Sequence, residues 1–74
     1  MRKNVDIKFM KEFGSNLKKI RLAKHITQAQ LAIDCEVDVS VISRIERGVV
    51  NTSLSNINTI AKALAIQPKE LFDF

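Results

Sequence analysis

The sequence predicts an all-α fold: a compact bundle of five helices, two of them short and joined by a tight turn. Three observations carry this. Apolar residues recur at helical spacing in each segment, Ser, Thr and Asp stand immediately ahead of those segments, and no stretch alternates apolar and polar residues as a half-buried strand would. With 74 residues, 46% of them hydrophobic, two glycines and one proline, the chain suits one modest core and is not a disordered tail.

The first helix is expected over 7–24, with Asp6 as its cap and Phe9, Phe13, Leu17 and Ile20 as its inward stripe. Gly14 interrupts that pattern and costs roughly 1 kcal/mol relative to alanine, which leaves open a start nearer Met10. Thr27 is placed to cap a second helix from Gln28. Gln30 can complete a capping box, and Ile26 and Leu31 have the spacing of a hydrophobic staple. Leu31, Ala32 and Cys35 trace its buried face. Asp38, flanked by Val37 and Ile42, caps a third helix from Val39 to Arg47, and Gly48 supplies the left-handed residue that closes it. The gap between the second and third helices is that of a helix-turn-helix.

After a loop over 49–52, Ser53 caps a fourth helix whose Leu54, Ile57, Ile60, Ala61 and Leu64 repeat at core spacing. Gln67 and Pro68 open a short fifth helix, with Glu70 in its first turn and Ile66 and Leu71 at staple spacing. Ile66, Leu71, Phe72 and Phe74 offer apolar surface either to close the core over the first and fourth helices or to meet a second copy, and the dimer is the preferred reading.

The third helix has two unlike faces. Ile42 and Ile45, helped by Val41, point inward, while Val39, Ser40, Ser43, Arg44 and Arg47 fall on the opposite side. Two guanidiniums, two hydroxyls and a methyl-bearing side chain suit a groove lined with base acceptors, phosphates and thymine methyls, although a solvated face would have the same polarity. Charge placement fits a polyanionic partner. The net charge is +4, and residues 1–24 hold eight Lys or Arg against two acids while residues 25–74 hold four against six. Residues 1–8 read as a basic arm ahead of a domain over 9–74, either attracting phosphate or serving only as a solubilising terminus.

The run Thr27–Gly48 resembles the Cro and C1 repressor type of helix-turn-helix, the xenobiotic response element family. The resemblance spans roughly Phe13 to Phe72. It rests on Arg21, on Thr27-Gln28, on Ile42-Ser43-Arg44-Ile45-Glu46-Arg47-Gly48 and on Ile60-Ala61-Lys62-Ala63-Leu64 in combination. It implies a lambda-repressor-like fold in which Val39, Ser40, Ser43 and Arg44 face base edges of double-stranded DNA. Arg44 is the best supported of these by its chemistry, because a guanidinium pairs bidentately with guanine. Thr27 and Gln28 at the start of the second helix, together with Arg47, Asn51 and Thr52, are candidates for phosphate; Lys19 and Lys24 are weaker ones. The resemblance also implies a salt bridge between Arg21 and Glu46. The chain departs from the family at His25 and Glu36, where glycine is frequent, so either a non-glycine residue takes positive φ there or the turn geometry differs slightly.

The single cysteine excludes an internal disulfide framework and lies in the core pattern, and His25 falls at a turn. Neither supports a metal or catalytic site, and no glycine-rich phosphate loop is present. No cofactor, enzyme activity or small-molecule ligand is expected. Nor is a membrane span, a signal segment or export expected, which makes the cytoplasm the compartment. The expected function is a sequence-specific transcriptional regulator, a repressor by analogy, that reads the major groove as a homodimer. The competing reading is a protein-interaction module such as an antitoxin or adaptor subunit.

Overall fold

A computed structural model describes residues 5–74. Four α-helices, α1 (Ile7–Ala23), α2 (Gln28–Cys35), α3 (Val39–Arg47) and α4 (Leu54–Ala63), are followed by a 3₁₀ turn over Pro68–Phe72. The fifth helix of the sequence reading is therefore 3₁₀, not α. Gln67 N donates to Glu70 Oε2 at 2.9 Å and Asn16 Nδ2 donates to the carbonyls of Glu70 and Leu71 at 3.1 and 2.9 Å. These bonds hold a single tight turn whose role is to place Leu71 in the core.

α1 starts at Ile7, where Asp6 Oδ1 accepts from Phe9 N at 2.9 Å, and runs unbroken through Gly14. The arm anticipated over 1–8 thus overlaps this helix; residues 1–4 lie outside the described residues. Gly14 is where α1 crosses α3. A Cβ there would overlap the Ile45 carbonyl oxygen and come within 2.8 Å of the Glu46 carbonyl carbon. The glycine costs helix propensity and gains close backbone approach.

Each α-helix ends the same way. The chain turns through a left-handed residue, His25 (φ 60°), Glu36 (φ 57°), Gly48 (φ 71°) or Ala65 (φ 57°), and the next residue's N–H returns to a carbonyl five positions back. Those bonds run from Ile26 N to Arg21 O, Val37 N to Ala32 O, Val49 N to Arg44 O and Ile66 N to Ala61 O, at 3.0 to 3.2 Å. This is the Schellman pattern, with an apolar residue in each returning position. Of the two alternatives at His25 and Glu36, the left-handed turn is the one present, and Ala65 adds one with no sequence signal. Gln30 departs from the anticipated capping box. Thr27 Oγ1 accepts from Gln30 N at 3.0 Å, but the Gln30 side chain turns down the helix to Asp34 Oδ1 at 2.9 Å.

The core joins Phe13 and Leu17 of α1, Leu31, Ala32 and Cys35 of α2, Ile42 and Ile45 of α3, Ile60 and Ala61 of α4, and Leu64 and Leu71. Of the anticipated core, Ile20 and Ile57 pack half-buried against this cluster, and Phe9 and Leu54 lie outside it. Phe9 is 46% exposed because it stacks on the C-terminal Phe72 and Phe74 rather than beneath them. Leu54 is 84% exposed because it opens α4 at the lip of a groove of about 230 Å³ that no described residue covers; Phe9, Met10, Val50 and Phe72 also border it. Of the C-terminal apolar residues, Leu71 is buried and Ile66 half-buried. Phe72 and Phe74 stay partly exposed, so both sequence readings of that segment hold in part.

Candidate nucleic-acid interface

α3 is built as an amphipathic rod fixed at both ends. Asp38 Oδ2 accepts from Ser40 N at 3.3 Å at its start, and Gly48 closes it in the left-handed conformation that a side chain would strain. Ile42 and Ile45 are buried, which leaves Val39, Arg44 and Arg47 exposed and Ser40 and Ser43 half-buried on the remaining face. The sequence-predicted stripe is thus one continuous surface. Ser40 does not stand free on it. Its hydroxyl donates to Asp38 Oδ2, and these bonds hold the Asp38 carboxyl below its ordinary range.

Glu46 lies at the edge of this stripe, one helical repeat after Val39, where the helix turns inward, and is buried with Arg21. Arg21 Nε donates to Glu46 Oε2 at 2.6 Å and Nη2 to Oε1 at 3.0 Å, a two-pronged pair that matches a guanidinium to a carboxylate. Arg21 Nη1 donates to Ile26 O at 2.8 Å, and Gln28 Nε2 donates to Glu46 Oε1 at 3.0 Å. The hydrogen bond to Glu46 raises the Arg21 pKa against the opposing effect of burial, so the guanidinium stays charged. One carboxylate therefore ties the end of α1 and the start of α2 to α3. Among the described residues no buried side-chain polar atom is left without a partner.

The remaining candidates are distributed around this lock. Thr27 caps α2, and Gln28 is committed through Nε2 to Glu46; the sequence did not reveal that bond, because the partner lies 18 positions away. Asn51 is exposed in the loop after α3, while Thr52 Oγ1 accepts from Asn56 Nδ2 at 3.2 Å. Lys19 and Lys24 are exposed on α1. Cys35 is buried, and desolvation with the nearby Asp34 charge pushes its thiol pKa up, which keeps it protonated and unreactive. His25 has a turn conformation, and no group of potential metal ligands occurs among the described residues.

A family model described as helix-turn-helix matches residues 17–71. The chain belongs to the Cro/C1-type helix-turn-helix family. As a member of that family it is a DNA-binding transcriptional regulator and not an enzyme. Its similarity extends to control protein C.BamHI of Bacillus amyloliquefaciens, 49% identical over 63 residues that cover 84% of this chain and 78% of that protein. Control protein C.MunI of a Mycoplasma species is 40% identical over 68 residues, covering 90% and 89%. The crystal structure of the restriction-modification controller protein C.AhdI from Aeromonas hydrophila superposes with a TM-score of 0.84 at 43% identity, covering 85% of this chain and 96% of that one. No helix among the described residues is long and apolar enough to cross a membrane.

Proposed function

We propose that this chain is a controller of a restriction-modification system, acting in the cytoplasm by binding its operator as a homodimer with α3 in the major groove. The observation that carries the groove assignment is the stripe of Val39, Ser40, Ser43 and Arg44 on a helix that Glu46 locks to Arg21 and Gln28. The likeness to the control proteins C.BamHI and C.MunI supports the restriction-modification role.

In this reading Arg44 pairs with a guanine and Val39 meets a thymine methyl, while Ser40 and Ser43 complete the base contacts. The free amides at the start of α2, with Thr27 and Gln28, grip phosphate on one side of the groove. Arg47, Asn51 and Thr52 grip it on the other. The basic residues Arg2, Lys3 and Lys8, with exposed Lys11, Lys19 and Lys24, add attraction that carries no sequence information. The dimer forms through the apolar margin of Phe9, Leu54, Phe72 and Phe74.

Selection of bound sequences from a random duplex pool, followed by a salt titration on the recovered duplex, tests the assignment. The expected product is two related half-sites, bound with an affinity that falls steeply with salt. Recovery of no common sequence, with binding indifferent to salt, would overturn it.

A further inference from the structure

The first turn of α3 commits its only hydroxyl proton internally. A serine hydroxyl has one proton to give and two lone pairs to receive with, and an ionised carboxylate can only accept. Ser40 Oγ donates to Asp38 Oδ2, and Asp38 also takes Ser40 N, so the side chain and backbone of one residue converge on one carboxylate. A hydroxyl bonded to a carboxylate is held about twice as strongly as one bonded to a neutral oxygen. Turning that proton toward a guanine or thymine oxygen would exchange the stronger bond for a weaker one. The lone pairs of Ser40, half-buried on the stripe, remain available, and Asp38, which the bonds from Ser40 hold below the ordinary carboxylate range, only accepts.

We propose that Ser40 reads the operator as a hydrogen-bond acceptor, taking the exocyclic amino group of an adenine or a cytosine in the major groove. The inference rests on the assignment of α3 as the reading helix and specifies the chemistry at its first turn. It gives that helix a polarity. Its beginning, with Ser40, offers acceptor lone pairs to an amino-bearing base edge; its later turn, with Arg44, offers donors to the N7 and O6 of guanine. Asp38, which touches no base in this scheme, is a positioning residue that decides which partner Ser40 takes.

The experiment uses the full chain and the duplex recovered by random-pool selection. Selection is repeated with Ser40→Ala and Arg44→Ala to locate the base pair that each side chain reads. At the Ser40 position the amino group is then deleted by placing purine for adenine or 2-pyrimidinone for cytosine, and in a separate duplex a purine N7 is deleted with a 7-deaza analogue. The unmodified protein should lose about three- to tenfold in affinity when the amino group is removed, the size of one ordinary hydrogen bond, and little when N7 is removed. Ser40→Ala should be indifferent to both. Asp38→Gly keeps a residue tolerated at a helix start and releases the Ser40 proton, so selection with this variant should broaden at the Ser40 position to admit guanine or thymine oxygens while its melting curve remains cooperative.

Sensitivity to N7 deletion that disappears in Ser40→Ala would overturn the inference and leave α3 as the reading helix. An unchanged base preference in Ser40→Ala, with a changed one in Arg44→Ala, would do the same. If neither variant alters the selected sequence, the assignment of α3 falls and the inference with it.

Discussion

At the scale of single residues, Arg44 and Glu46 lie two positions apart on α3 and do opposite work. Arg44 is exposed and unpaired by any carboxylate in hydrogen-bond range among the described residues, so its donors are free for a ligand. Arg44→Ala is expected to remove discrimination at one base pair, about 1 to 3 kcal/mol, with the fold unchanged. Competition between the selected duplex and single-position variants measures this; an unaltered preference at every position would remove Arg44 from the reading set. Glu46 is buried, and its removal leaves the Arg21 guanidinium without its charge partner in a low-polarity site. Glu46→Ala should destabilise the domain by about 3 kcal/mol, while the double variant Arg21→Met, Glu46→Leu should recover most of that loss because no charge is left stranded. Urea midpoints report both values. A single variant that costs less than about 1 kcal/mol would show that the pair is more solvated than its geometry implies.

At the scale of elements, the helix ends hold unspent stability. His25 and Ala65 carry side chains at φ 60° and 57°, where an L-residue pays roughly 1 to 2 kcal/mol against the backbone that glycine does not pay. The extra freedom of glycine in the unfolded chain returns about 0.4 to 1 kcal/mol of that. His25→Gly and Ala65→Gly should therefore each stabilise by about 0.5 to 1 kcal/mol. Thermal melts that fall with both substitutions would mean the side chains contribute contacts that outweigh the strain. The same helix ends explain what was legible in the sequence. α3 is bounded by Asp38 and Gly48, residue types whose chemistry marks a start and a stop, and both of its limits were readable. Ala65 bears no such mark, since its left-handed turn is imposed by Ile66 packing against the core. Gly14 looked like a weak point of α1, because its benefit is contact with a helix some 30 positions later, and no local pattern reports that. Gln30 fitted a capping box until Asp34, one turn on, offered a competing acceptor. Signals local to a helix survived; those set by a distant partner did not.

At the scale of the whole molecule, size argues for pairing. The described domain measures 37 × 24 × 18 Å and has one helix proposed to read DNA, while equivalent half-sites on a duplex lie about 34 Å apart. In the proposed dimer, with the 37 Å axis along the duplex, two copies at that spacing would meet, and that contact would need apolar surface at a flank. Leu54, 84% exposed at the lip of the open groove, with Phe9 and Phe72 beside it, provides such surface without serving the core. Leu54→Glu would place a carboxylate there while leaving the monomer intact. Sedimentation at micromolar concentration should show a dimer for the unmodified chain and a dissociation constant at least about tenfold higher for the variant, since burying an unpaired carboxylate costs more than one factor of ten. Association and DNA binding are then linked. The variant should bind the two-half-site duplex more weakly, with the deficit closing as protein concentration rises, whereas binding to a single half-site should be unaffected. Unchanged sedimentation in the variant would place the dimer contact elsewhere, and a strict monomer on DNA would leave each half-site read alone.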